Sequence, residues 1–322
     1  MKRTLLATLK FVITAGLIWV FLSRIEWAEL RSTVSSARPE LLALAVALFA
    51  ASNLLGALQW GQLLRAQDIV LPFRTVVSLY FVGVFFNNFL ISNIGGDAVR
   101  IYDLKRITGK GLSGFAATFL DRFVGLFTLI CFSTIAYAGS PHLWGMALWI
   151  PILVLGLMLL GVLCFGFSRR LSSLMIELGG RILPERAVGL MNDVREVFLL
   201  YRHAYGLLLR VAILAVGVQL SRVAVYYTVG HALGEAVGFA TYVVFIPLIA
   251  IVAAIPISFG GIGVRENMGV ILFGSVGMAA EPALAVMFLG YLAGIVASIA
   301  GGVTFVLGRA ASAAGPDGSA DA

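Results

Sequence analysis

Apolar residues gather along this chain in runs close to the length of a bilayer-spanning helix, at 5–22, 40–60, 75–91, 112–138, 143–167, 206–230, 239–257, 264–280 and 283–308. A hydrocarbon core about 30 Å thick needs roughly 20 apolar residues in a helix to cross it. Within that core an open chain satisfies its own backbone only as a helix. Between the runs the chain turns polar and basic. The longest polar stretch, 168–205, keeps Leu171, Leu174, Met175 and Leu178 at helical spacing among its charges, which predicts an amphipathic pair of helices at the membrane surface. From Arg309 onward Ala, Ser, Gly and Asp dominate, and a disordered tail is expected over 309–322. Met1-Lys2-Arg3 and the apolar run to Leu22 resemble a secretory signal, but no small-x-small cleavage site follows, so an uncleaved first span is expected.

Charge then orders the runs. Lys and Arg are retained on the cytoplasmic side of a membrane. Most of the 23 Lys and Arg fall on one side if 75–107 dips into the bilayer and returns, and if 239–280 does the same. A full crossing at 75–91 would instead strand Lys105, Arg106 and Lys110 outside. The dipping hairpin is therefore expected, with both termini cytoplasmic.

This arrangement exposes a repeat. Ile91-Ser92-Asn93-Ile94-Gly95-Gly96-Asp97-Ala98-Val99-Arg100 is similar to Ile257-Ser258-Phe259-Gly260-Gly261-Ile262-Gly263-Val264-Arg265 with one deletion, and Ile257 stands 166 positions after Ile91. Each copy follows two spans and precedes one, but the second half starts from the opposite side. The expected fold is an all-α polytopic membrane protein built as an inverted repeat. Residues 1–138 form one half and 139–308 the other, each with three spanning helices and one Gly-broken re-entrant hairpin. Gly-interrupted segments at matching places in two halves point to a transporter's binding site.

Composition agrees, with 60% apolar and only 12% charged residues, against about 45–50% and about 25% in soluble domains. A cytosolic enzyme, a disordered chain and a disulfide scaffold are excluded. The formal charge of +7 does not imply nucleic acid, because the cations sit between spans. Cys131, Cys164 and the three histidines show no ligand spacing, so no metal or other cofactor is expected. No G-x-x-x-x-G-K-[ST] string is present to cradle a nucleotide, and no Ser/His/Asp set supports an enzyme.

Candidate chemistry lies in the two kinks and in the charges at depth. Gly95 and Gly96 break the helix, Asp97 is a suitable N-cap, and free N–H groups there would face an anion. Arg100 adds a forked donor one turn on. Gly260, Gly261, Arg265 and Glu266 repeat the arrangement. Asp121, Arg122 and Arg222 sit well inside their runs, where each Arg costs about 2.5–3.5 kcal/mol on insertion scales. Two readings of these residues stand side by side. One is a structural network, for example Asp121 with Arg222. The other is a site in which the acids offset most of the arginine charge and a lipid phosphate completes the balance. Asn53, Gln59, Gln219 and Ser221 either line a polar path or bond between helices. Trp27, Trp60, Trp144, Trp149, Tyr226 and Tyr227 fit an aromatic belt at the interface.

The strings Asn93–Arg100, Leu104-Lys105-Arg106, Asp121-Arg122-Phe123-Val124-Gly125-Leu126 and Gly260–Glu266 together resemble the flippase-like transmembrane family, which includes the membrane part of lysylphosphatidylglycerol synthases. The resemblance covers residues 5–308 and implies a bacterial inner-membrane protein that moves or presents lipids. It carries no aminoacyl-transferring domain with it. The function expected first is a lipid translocator that holds an anionic phospholipid or polyprenyl-phosphate-linked lipid between the kinks. The alternative is a scaffold that presents a lipid-linked substrate to a partner glycosyl- or aminoacyl-transferase. A membrane-embedded transferase would lack a visible catalytic set.

Overall fold

The computed structural model describes residues 35–89, 95–139, 153–154, 156–166, 168–182, 184–254 and 261–313. Among them every regular element is helical. The order is α1 Pro39–Arg65, α2 Phe73–Phe89, α3 Gly95–Thr108, α4 Gly111–Gly139, α5 Gly156–Gly166 and α6 Arg169–Ile182. There follow α7 Glu185–Tyr201, α8 Tyr205–Ala232, α9 Phe239–Ala254, α10 Val264–Gly274 and α11 Ala280–Ala313. Four of these, α1, α4, α8 and α11, contain stretches long and apolar enough to cross a membrane. The run 5–22 and much of 143–167 lie outside the described residues. So do Trp27, Trp144 and Trp149, which the sequence places in the aromatic belt.

Local sequence explains the ends of α1. Pro39 opens it with a preset φ, Glu40 lies in its first turn, and Arg65 lies in its last, matching the sign of the helix dipole at both ends. By contrast α2 and α9 have only 17 and 16 residues. At 1.5 Å per residue each spans about 25 Å, less than the hydrocarbon core.

The backbone of the fold is an antiparallel pair. The Arg38 N–H donates to the Ala232 carbonyl at 2.9 Å, Arg222 lies over Phe49, Gly217 abuts Leu55, and the Tyr201 hydroxyl donates to the Leu63 carbonyl at 3.0 Å. Partner numbers fall as α1 advances, so α1 and α8 end at opposite ends of the bundle. The helices that follow them, α2 and α9, therefore enter from opposite ends.

After α2 the chain returns. Gly83 faces Gly96 and Arg100, and Asn87 faces Gly96, so α3 runs back along α2. Lys110, just beyond α3, donates through Nζ to the Asp68 carbonyl at 3.0 Å. The α1–α2 and α3–α4 connections thus meet at one end, together with Arg65, Lys105 and Arg106. Tyr201 is seated at that end too, and burial raises its hydroxyl pKa so that it stays a donor.

Helix pairing follows a scheme that is unchanged when α1, α2, α3 and α4 are exchanged with α8, α9, α10 and α11. Thus α2 packs on α11 and α9 on α4, α3 on α4 and α10 on α11, α1 on α2 and α8 on α9. Close packing rather than water exclusion drives helix association in lipid. Gly301 shows it: a Cβ there would strike the Phe81 carbonyl of α2.

The boundary expected at Arg309 shifts. α11 continues to Ala313, because Arg309-Ala310-Ala311-Ser312-Ala313 is made mostly of strong helix formers; residues 314–322 lie outside the described ones.

Candidate functional site

The two hairpins, the antiparallel pair, α4 and α11 line a partly open cavity of about 330 Å³. Its polar lining includes Asp97, Arg100, Asp121, Arg122, Arg222 and Arg265, drawn from four different helices. Glu266 joins them through Arg265, whose Nη2 donates to Glu266 Oε1 at 2.9 Å. The charged residues predicted from sequence are thus brought to one place.

At the first kink Gly96 is required by space. A Cβ there would overlap the Gly83 carbonyl and the Asn87 backbone. The Gly96 N–H is capped from the neighbouring helix by Asn87 Oδ1 at 2.8 Å. Asp97 does not act as the N-cap. With α3 beginning at Gly95, Asp97 falls inside the first turn and spends its carboxylate on two arginines. Arg122 grips it in a fork, Nε to Oδ2 at 2.7 Å and Nη2 to Oδ1 at 3.1 Å.

Arg100 is 3% exposed. Its Nη2 reaches Asp97 Oδ1 at 3.2 Å and Asp121 Oδ2 at 3.4 Å, and its guanidinium lies 4.6 Å from the Trp60 ring and 5.0 Å from the Tyr80 ring. Such stacking compensates a desolvated cation by roughly 2 kcal/mol. Asp121 completes its bonding by accepting from Gln59 Nε2 at 2.9 Å. The Asp121–Arg222 pair offered by the structural reading is absent among the described residues. Asp121 faces α1 and α3 instead.

The second kink solves the same problem with its own residues. Gly261 and Gly263 take φ of 76° and 81°, the left-handed region that suits glycine. Glu266 Oε2 accepts the Gly263 N–H at 2.7 Å, which caps α10, while Oε1 holds Arg265. The Arg265 guanidinium lies 3.8 Å from the Tyr291 ring. Gly260 lies outside the described residues. At both kinks a backbone N–H expected to face an anion already has a protein acceptor.

That shifts attention to the guanidiniums. Arg222 has no carboxylate, carbonyl or hydroxyl partner among the described residues, and its Nε is buried without a hydrogen bond. Its nearest compensation is the Phe49 ring at 6.0 Å. Arg122, though forked onto Asp97, leaves 48% of its side chain accessible. Leu126, Leu129, Ile246 and Ile249 supply apolar wall beside these cations.

Several roles assigned by position in the sequence change. Trp60 is fully buried, with its indole N–H on Thr118 Oγ1 at 3.1 Å, and is no interfacial anchor. Tyr226 lines the cavity and packs on Gly290. Gln59 and Gln219 bond between helices, the latter to the Gly125 carbonyl at 3.3 Å, and both line the cavity. Ser221 bonds back to Gly217 within its own helix. Asn87 and the arginine-facing rings Tyr80 and Tyr291 were not singled out. The signal for the two rings is the need of a buried arginine for an aromatic face, whereas Asn87, nine residues from the N–H it caps, carries no local signal.

Residues 7–302 match the family described as lysylphosphatidylglycerol synthase TM region. The chain is 25% identical over 311 residues to UPF0104 membrane protein PH1989 of Pyrococcus horikoshii, covering 89% of this chain and 90% of that protein. It is 26% identical over 170 residues to a UPF0104 membrane protein of Methanothermobacter thermautotrophicus, covering 52% of this chain and 47% of that one. Its helical architecture, its apolar spans and this match agree. The chain is a multi-pass membrane protein and belongs to the lysylphosphatidylglycerol synthase TM region family.

Proposed function

We propose that this protein is a lipid translocator of the bacterial inner membrane that holds an anionic head group in the arginine-lined cavity. Both termini would lie in the cytoplasm. The observation that carries the reading is Arg222, a cation facing a cavity inside the bundle with no anionic partner of its own. Charge at membrane depth is expensive unless compensated, and a lipid phosphate supplies the missing charge. Arg122 and Arg222 would contact it, while Arg100 and Arg265, fixed by their acids and rings, set the surrounding potential. Gly95, Gly96 and Asp97 at one kink, and Gly261 and Glu266 at the other, hold these arginines in place. The tails would follow the leucine and isoleucine wall into the bilayer.

The same reading treats the two halves as inverted repeats. The exchange-invariant packing and the entry of α2 and α9 from opposite ends support it. Such halves move lipid or solute by rocking about a shared site.

The test is reconstitution into vesicles with fluorescent phosphatidylglycerol in one arm and fluorescent phosphatidylcholine in the other. Protein-dependent movement is expected for the first lipid and is expected to fall by about tenfold or more in Arg222→Gln. A scaffold that only presents lipid would bind phosphatidylglycerol and move neither.

A further inference from the structure

We infer that the cavity is built for a head group bearing a single net negative charge, a phosphodiester, and discriminates against diphosphates and zwitterions alike. This rests on the anionic-lipid reading above and narrows it. Four guanidiniums, Arg100, Arg122, Arg222 and Arg265, share the site with three carboxylates, Asp97, Asp121 and Glu266. Each carboxylate lies in an ion pair, Asp97 with Arg122 and Arg100, Asp121 with Arg100, and Glu266 with Arg265. Lys residues and further acids are missing from the cavity lining among the described residues. One positive charge is left over, and it has an address, because Arg222 is the arginine without an acid.

In a medium of low dielectric an uncompensated charge is penalised whichever its sign. A phosphodiester brings the site to neutrality. A zwitterionic phosphodiester brings its own cation along with its phosphate, so one positive charge stays uncompensated in the site, and a head group of net positive charge makes matters worse. A diphosphate overshoots and leaves a buried negative charge. It could gain a second cation only by drawing Arg122 or Arg265 off its carboxylate, which strands that acid instead. The forked guanidinium also suits two oxygens of one phosphate, which a phosphodiester offers in full.

The experiment measures binding of three soluble probes to the purified full-length chain in neutral detergent. They are dihexanoyl-phosphatidylglycerol, dihexanoyl-phosphatidylcholine and geranylgeranyl diphosphate. The first is expected to bind about tenfold tighter than either of the others. In Arg222→Gln that preference over phosphatidylcholine should vanish, whereas Arg222→Lys, which keeps the charge, should retain it. If the diphosphate binds as tightly as the phosphodiester and Arg222→Gln weakens both, the single-charge inference is overturned while the anion site stands. Should all three probes bind alike and ignore the substitution, the anion site itself falls. If Arg222→Gln does not fold, the ranking of the three probes on the unaltered chain decides.

Discussion

Arg122 of α4 clasps Asp97 of α3 with two hydrogen bonds, 2.7 and 3.1 Å long, and so ties the returning arm of the first hairpin to the helix that follows it. Asp97 is 6% exposed while Arg122 keeps 48% of its side chain accessible, so the contact is buried on the carboxylate side and open on the arginine side. Asp97→Asn leaves Arg100 and Arg122 facing a neutral amide. Removing one partner of a fully buried pair costs about 3–5 kcal/mol, and the exposure of Arg122 brings the expected loss below that range. A clear drop in the thermal unfolding midpoint in detergent is expected, and an unchanged midpoint would show that the hairpin is held elsewhere.

Gly96 permits the contact that brings Asp97 into range. Gly96→Ala places a methyl group against the Gly83 carbonyl and the Asn87 backbone, and folded protein should be lost or reduced to a trace. Gly161→Ala is the control, since nothing lies within 4 Å of its added methyl. It should be neutral or stabilising by up to about 1 kcal/mol. Size-exclusion profiles of the two variants separate these outcomes.

Much of this site was legible before any coordinates. The glycine pairs announce backbone that cannot bear side chains, Arg100 and Arg265 stand out by following them, and Arg122 and Arg222 stand out by their cost at membrane depth. What sequence could not supply is rotation about each helix axis. Asp121 and Arg222 both sit mid-span and looked like natural partners. The rotation of α4 turns Asp121 toward Gln59 and Arg100 instead. Trp60 misled for a related reason. A tryptophan near the end of a run suits the interface, yet this one faces inward and shields a guanidinium. The Asp97 cap failed because the acceptor comes from Asn87, nine residues earlier across the kink, a distance at which no local capping rule operates.

Topology can be checked from outside. In a Cys131→Ser, Cys164→Ser background, Lys110→Cys and Glu235→Cys place single thiols beyond opposite ends of the α1–α8 pair. A membrane-impermeant maleimide applied to right-side-out spheroplasts should label position 235 and spare 110. The pattern should reverse in inverted vesicles. Equal labelling of both positions from one side would contradict the re-entrant path expected for α2 and α3.

Tyr201 is the anchor of the amphipathic insert. Its hydroxyl is the donor to Leu63 at 3.0 Å and its ring is 1% exposed. Tyr201→Phe removes one buried hydrogen bond while keeping the ring, for a loss of about 1 kcal/mol. Tyr201→Ala also removes the packing and should cost about 3–5 kcal/mol. Thermal melts of the two variants should rank in that order, with lipid selectivity unaltered in Tyr201→Phe.

The central claim is most directly tested by trapping the lipid where it is said to sit. A photoreactive benzophenone residue at Leu126, on the cavity wall, should capture radiolabelled phosphatidylglycerol in preference to phosphatidylcholine, and the preference should disappear with Arg222→Gln. The same residue at Leu44, which is 47% exposed on the bundle surface, should capture both lipids alike with or without that change. Contradiction would come from a Leu126 probe that captures no lipid, or that captures both equally whether or not Arg222 is present.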